Sequence, residues 1–63
     1  MTDERKAELY AALVKEAKAY AAEGRTISRF EALGILTDGW GVVLNRDAIE
    51  LVEKLYRDGF CGE

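Results

Sequence analysis

The sequence contains no histidine and only one cysteine, Cys61. Without histidine, no Ser–His or Cys–His nucleophilic pair can form, and a zinc site would have to be built from carboxylates and one thiol. A lone cysteine has no partner for an internal disulfide, and its place near the carboxyl end favours an incidental residue over a reactive or intermolecularly paired thiol. We therefore predict no enzymatic activity, no metal site and no cofactor.

Long hydrophobic runs are also missing. No stretch approaches the roughly 18 apolar residues that a membrane-spanning helix needs. The polar residues 1–6 are not followed by the apolar segment of a signal peptide. Together with the single cysteine, this pattern is typical of the reducing cytoplasm. We expect a cytoplasmic protein that makes no membrane contact.

The length of 63 residues suits one small domain, residues 1–63, and excludes a nucleotide-binding α/β domain or a barrel. Hydrophobic residues make up 49% and charged residues 33%, so the composition favours folding over disorder. Nine basic and 12 acidic residues give a net charge of −3. Because this balance is acidic, nucleic acid is a disfavoured partner.

Hydrophobic periodicity predicts two long amphipathic helices, over residues 3–23 and 46–58. Each has polar capping candidates before it and a glycine after it: Thr2 or Asp3 and Gly24 for the first, Asn45 and Gly59 for the second. The expected apolar stripes are Leu9, Tyr10, Leu13, Val14, Ala17, Tyr20 and Ala21 on the first helix, and Ala48, Ile49, Leu51, Val52, Leu55 and Tyr56 on the second. We expect Leu13 and Leu55 to share one buried cluster.

A short helix is predicted between the two long ones. Ser28 and Glu31 match the capping box, in which each side chain bonds the other residue's backbone N–H. Gly34 is expected to end this helix after one to two turns, with Ile35 folding back onto Phe30.

Residues 35–44 are the least helical part of the sequence. Asp38-Gly39 is a turn signal, and the β-branched run that begins at Val42 favours an extended backbone. We predict an extended or hairpin-like segment here, while residues 61–63 are expected to be loose. The fold class is thus mostly α: two long amphipathic helices, one short helix, and a segment that closes the core.

Trp40 is the only tryptophan, and a glycine stands on each side of it. The ring could cover the open edge of a small core, or it could be an exposed anchor, since tryptophan is enriched among interface hot spots. We place the candidate partner-binding surface on the turn at residues 39–43, including Trp40 and Val42, with Arg25 and Arg29 beside it.

Between residues 22 and 46 every basic residue is an arginine: Arg25, Arg29 and Arg46. If the short helix packs across the ends of the long ones, the three side chains could gather and bind phosphate or a partner's carboxylates. Alternatively, they are separate solvated side chains paired with nearby acids. The carboxylates of the long helices alternate with lysine and arginine, as on solvated faces, and do not suggest a desolvated catalytic pair.

The function that these patterns favour is a small, acidic, non-catalytic binding protein that modulates a larger protein by occupying its surface. Similar size and composition occur among accessory proteins of phages and mobile elements, including inhibitors of host defence systems such as anti-CRISPR proteins. This analogy rests on size and composition, with no motif behind it.

Two alternatives stay open. Residues 27–35 have the look of the first helix of a helix-turn-helix, which suggests a small dimeric DNA- or RNA-associated regulator. However, residues 37–41 break the expected second helix, and the helix that follows begins with a mixture of acidic and basic residues. The second alternative is a structural subunit of a larger assembly. A homodimer is compatible with each function, because a chain this short has a thin core.

Overall fold

The computed structural model describes residues 1–62, and most of them are helical. The elements are α1 (Asp3–Ala22), α2 (Arg29–Gly34), a π-helical turn (Ile35–Gly39) and α3 (Arg46–Arg57). Within residues 1–62 no strand forms, and Ser28 and Gly62 make an isolated parallel bridge. The predicted mostly-α class, with two long helices and one short one, is confirmed. None of the described helices is long and apolar enough to cross a membrane.

The predicted caps form at both ends of the long helices and at the start of α2. Thr2, Ser28 and Asn45 each accept a hydrogen bond from the backbone N–H three residues further on, at 3.0–3.1 Å. The Glu31 carboxylate accepts the Ser28 N–H at 3.3 Å, which completes the capping box. After α1 and α3 the chain turns through left-handed glycines, and the next residue donates its N–H to the carbonyl five positions back. These signals are local, so the sequence predicts them correctly.

Helix α2 ends at Gly34 as predicted, but the expectation that the chain leaves the helical path there is wrong. Gly34 has helical dihedral angles, with φ −61°, and the chain continues through it into the π-helical turn. Ile35 therefore lies in a helix and does not fold back onto Phe30. Continuation of the helix places Leu36 in the core with no exposed surface. Burial of this side chain outweighs the weak helix propensity of glycine.

The hairpin predicted around residues 37–41 does not form either, because residues 35–39 are helical. The Trp40 N–H donates to the Ile35 carbonyl at 3.0 Å, and the Val42 N–H donates to the Leu36 carbonyl at 2.8 Å. Between them, Gly41 adopts φ +67°, a conformation that side chains with a Cβ rarely take. Residues 40–44 then run without regular structure to the Asn45 cap; we call them the apolar loop.

The core lies where α1, α2, the π-helical turn and α3 meet. Its buried side chains are Leu9, Leu13, Ala17, Ile27, Ala32, Leu36, Ala48, Leu51, Val52, Leu55 and Cys61. Leu13 and Leu55 are both fully buried in this one cluster, as predicted. Ile49 and Tyr56 were expected on the buried face of α3, yet both are exposed, and Ala21 is exposed on α1. The buried stripe of α3 is therefore narrower than the predicted one.

The chain beyond α3 is packed as far as it is described. Cys61 is buried in the core, and burial raises the pKa of its thiol. The Gly62 N–H donates to the Ile27 carbonyl at 2.8 Å, while the Gly62 carbonyl accepts the Arg29 N–H at 3.0 Å. The expectation that Cys61 and Gly62 are loose is wrong, because these bonds join them to the segment before α2. Glu63 lies outside the described residues.

Two glycine substitutions test how the π-helical turn ends. A Cβ added at Gly41 or at Gly39 meets no atom within 4 Å, but only Gly41 has a positive φ. We expect Gly41→Ala to lower the free energy of unfolding by about 1–2 kcal/mol, the cost of a left-handed L-residue. Gly39→Ala should be neutral or stabilising by up to about 1 kcal/mol, since alanine restricts the unfolded chain. Urea denaturation measures both, and equal effects would contradict the described turn.

Candidate functional site

Large hydrophobic side chains are exposed mainly in α2, α3 and the apolar loop. Besides Met1, the exposed large hydrophobic residues are Phe30, Val43, Leu44, Ile49 and Tyr56. Helix α1 contributes none of them within Asp3–Ala22. Single exposed apolar residues are ordinary, but several of them in α2, α3 and the loop between these helices mark a candidate interaction surface.

The apolar loop has an inner and an outer side. Trp40 and Val42 are half-buried and pack against the core, whereas Val43 and Leu44 are 72% and 61% exposed. The sequence leaves two alternatives for the Trp40 ring: it covers the open edge of the core, or it is an exposed anchor. The structure places its ring against the core, with part of its surface in solvent. The more exposed side chains are Val43, which lies within the predicted turn, and Leu44, which lies just beyond it.

Arg25 and Arg29 are each held between an aromatic ring and a carboxylate. The Arg25 guanidinium lies 4.6 Å from the centre of the Tyr20 ring and 3.6 Å from Glu31. The Arg29 guanidinium lies 4.6 Å from the Tyr56 ring centre and 3.0 Å from Glu53. Cation–π contacts and ion pairs together restrict both side chains. Their positive charges are therefore balanced within the chain.

The structure does not gather the three arginines with Trp40. Arg29 begins α2, whereas Trp40 follows the π-helical turn, about 15 Å further along at helical rise. Arg46 begins α3, about 10 Å along that helix from Glu53, the residue that Arg29 contacts. No carboxylate of residues 1–62 pairs with Arg46. Of the two alternatives for the arginines, the ion pairs of Arg25 and Arg29 therefore favour separate side chains paired with acids over a phosphate-binding cluster.

An apolar groove of about 450 Å³ lies between α2 and α3. Its lining residues are Arg29, Phe30, Leu33, Ile49, Val52 and Glu53. Phe30 is 85% exposed and Ile49 48% exposed, so both side chains stand at the open side of the groove. This groove is not predicted from the sequence, because Phe30 is expected there in a helix-end contact and Ile49 on the buried face of α3. The positions of Ala32 and Leu36, one turn apart on the buried side, are the signal that could have placed Phe30 on the outer side.

A second groove, of about 710 Å³, lies between α1 and α3. It is lined by both charged and apolar residues: Lys6, Ala7, Tyr10, Ala11, Asp47, Glu50, Leu51, Lys54 and Arg57. Lys6 pairs with Asp47 at 3.5 Å, and the Lys54 ammonium lies 4.2 Å from the Tyr10 ring centre. Mixed and internally paired charges of this kind give the groove no preference for a ligand of one sign.

Tyr10, Lys54 and Asp58 form a linked group beside this groove. The Tyr10 hydroxyl donates to Asp58 Oδ2, and the Lys54 ammonium donates to the same oxygen at 3.0 Å. Burial, this hydrogen bond and the negative charge of Asp58 raise the pKa of Tyr10 to about 12. The bonds from Tyr10 and then from Lys54 lower the pKa of Asp58. The group ties the amino-terminal half of α1 to the carboxyl end of α3.

Comparison with protein families, curated proteins and solved structures found no match to this chain. Its candidate sites are therefore argued from their own geometry and chemistry.

A tyrosine substitution tests the Tyr10–Asp58 bond. The lowered pKa of Asp58 means that its contribution to stability is present above the ordinary aspartate pKa and is lost as the pH falls through the folded value. Tyr10→Phe removes the main cause of this shift, so we expect the pKa of Asp58 to rise and the stability to depend less on acid pH. Carboxyl ¹³C NMR titration of Asp58 measures the shift. Tyr20→Phe, in a ring that stacks with Arg25, is the control; an equal rise in that variant would contradict the assignment.

Proposed function

We propose that this chain is a non-catalytic binding protein that modulates a larger protein by occupying its surface with the apolar loop, residues 40–44. The observation that carries the proposal is the outward projection of Val43 and Leu44, 72% and 61% exposed, from a backbone held at both ends. Exposed aliphatic side chains on a fixed loop suit insertion into a hydrophobic pocket of a partner.

The anchoring of the loop favours binding. Trp40 and Val42 donate their N–H groups to carbonyls of the π-helical turn, and both side chains pack against the core. On the other side, Asn45 caps α3 and fixes the point at which the loop ends. A loop that is ordered before binding loses little conformational entropy when a partner covers it.

The charge distribution favours a protein partner over nucleic acid. Residues 39–45 carry no charged side chain, and the whole chain has a net charge of −3. Arg25 and Arg29 are already paired with Glu31 and Glu53, so their use by phosphates would require those ion pairs to be exchanged. Electrostatic attraction, which supplies most non-specific nucleic-acid affinity, is therefore weak here. This argues against the regulator with a degenerate helix-turn-helix.

The environment of the polar groups supports the non-catalytic part of the proposal. Within residues 1–62 no polar or charged side chain is buried. General acids and bases work best where burial shifts their pKa toward the working pH. Tyr10 and Asp58 bond each other, and the pKa of Tyr10 is raised while that of Asp58 is lowered, so both shifts lead away from neutral pH. An inhibitor of a host defence system is one specific class within this proposal, and the identity of the partner decides it.

The test places a photo-crosslinking amino acid at Val43 in cells of the organism that encodes the chain. Lys18, exposed on α1, carries the same probe as a matched control. We expect a distinct protein to be captured from Val43 and not from Lys18. That protein, once purified, should bind the parent chain and lose at least about tenfold in affinity for Val43→Asp, because a charge enters an apolar contact.

The variant should keep its fold, since substitutions of exposed residues usually change stability by less than about 0.5 kcal/mol. Trp40→Ala is a poorer probe because its ring also packs against the core. Identical capture from both positions, or unchanged affinity of the purified partner for Val43→Asp, would reject the apolar loop as the binding surface.

A further inference from the structure

We infer that the groove between α2 and α3 is the interface of a two-fold symmetric homodimer, in which α3 packs antiparallel against α3 of a second copy. This inference concerns a different surface from the apolar loop and is independent of the proposed function. The apolar lining of the groove includes the highly exposed Phe30 and the half-exposed Ile49. A fold with a thin core gains most from covering such residues.

The charges along α3 identify a second copy as the occupant. Arg46, Ile49 and Glu53 follow one another at intervals of three and four residues, so they lie along one stripe of the helix. The stripe has a cation at one end, an apolar residue in the middle and an anion at the other end. A two-fold axis beside Ile49 and Glu50 sets Arg46 of one copy opposite Glu53 of the other, and symmetry forms the same pair twice.

The position of Arg46 favours an ion pair with a carboxylate outside its own chain. It occupies the first position of α3, where the positive end of the helix dipole disfavours a cation. No carboxylate within residues 1–62 pairs with it. Glu53 is about half exposed, and a carboxylate bonded to Arg29 can accept from another donor as well. The dimer contact thus supplies a carboxylate that residues 1–62 of one copy do not give Arg46.

The edge of the groove is also electrically balanced. Its two charged lining residues, Arg29 and Glu53, form an ion pair, so two copies can meet at the groove without the repulsion that their net charge of −3 each would otherwise cause. A standard interface covers about 800 Å² on each partner, which is roughly a fifth of the 4199 Å² surface of this chain. We expect a dimer of micromolar affinity.

Analytical ultracentrifugation of the whole chain from about 5 μM to about 1 mM tests the inference. The parent should pass from the monomer mass to twice that mass as the concentration rises. Phe30→Asp should weaken association at least about tenfold and keep its thermal stability, because the Phe30 ring is 85% exposed. A parent that stays monomeric throughout would overturn the inference and leave the groove to a different protein.

Charge reversal supplies the specific arm of the test. Arg46→Glu and Glu53→Lys should each weaken self-association at least about tenfold, because like charges then face each other twice. An equimolar mixture of the two variants should recover dimers, since both pairs across a mixed interface are again opposite in sign. Lys18→Glu changes the net charge as much as Arg46→Glu does, but on α1, and it should dimerise like the parent.

Circular dichroism checks that Glu53→Lys, which also breaks the Arg29 ion pair, remains folded. If Glu53→Lys unfolds, the test relies on the self-association of Phe30→Asp and Arg46→Glu, each compared with that of Lys18→Glu. Dimers that persist in both Phe30→Asp and Arg46→Glu would overturn the inference. Equal loss of dimers in Arg46→Glu and Lys18→Glu would overturn it as well.

Discussion

The part of this fold that carries the apolar loop depends on one backbone hydrogen bond, from the Val42 N–H to the Leu36 carbonyl, 2.8 Å long. It closes the π-helical turn across Gly41, the residue whose left-handed backbone reverses the chain. With this bond in place, Val42 packs inward, Val43 and Leu44 project outward, and Asn45 arrives where it caps α3. The same reversal brings α3 back along α2, so that Arg29 meets Glu53. The loop and the groove are thus consequences of one turn.

The three helices differ in how their apolar side chains are distributed between the core and the surface. Helix α1 contributes Leu9, Leu13 and Ala17 to the core and exposes no large hydrophobic side chain along Asp3–Ala22. Helices α2 and α3 bury one side in that core and leave apolar residues on the other. The backbone of Gly62 forms hydrogen bonds with Ile27 and Arg29, the residues on either side of Ser28, and holds the start of α2 in place. A chain with so small a core in this way leaves an apolar loop and an apolar groove exposed and still keeps its fold.

Features set by neighbouring residues could be predicted from the sequence. Ser28 and Glu31 form the capping box, and Asn45 caps α3, because each needs only partners three positions away. Features set by distant contacts could not. The helical state of Gly34 depends on burial of Leu36, and the Gly62 bonds join residues far apart in the chain. The same applies to Arg29, whose carboxylate partner lies on another helix, and to Phe30, whose exposure follows from how α2 packs.

Native-state hydrogen exchange tests most directly whether the apolar loop is fixed before any partner binds. The Trp40 and Val42 amides donate the bonds that hold the loop, whereas the Val43 amide donates no hydrogen bond within residues 1–62. We predict that Trp40 and Val42 are protected nearly as well as the core amides of α3, at least about 100-fold, while Val43 exchanges close to the unprotected rate. Exchange of Val42 as fast as that of Val43, in a chain whose α3 amides stay protected, would show that the loop is not held and would contradict the account.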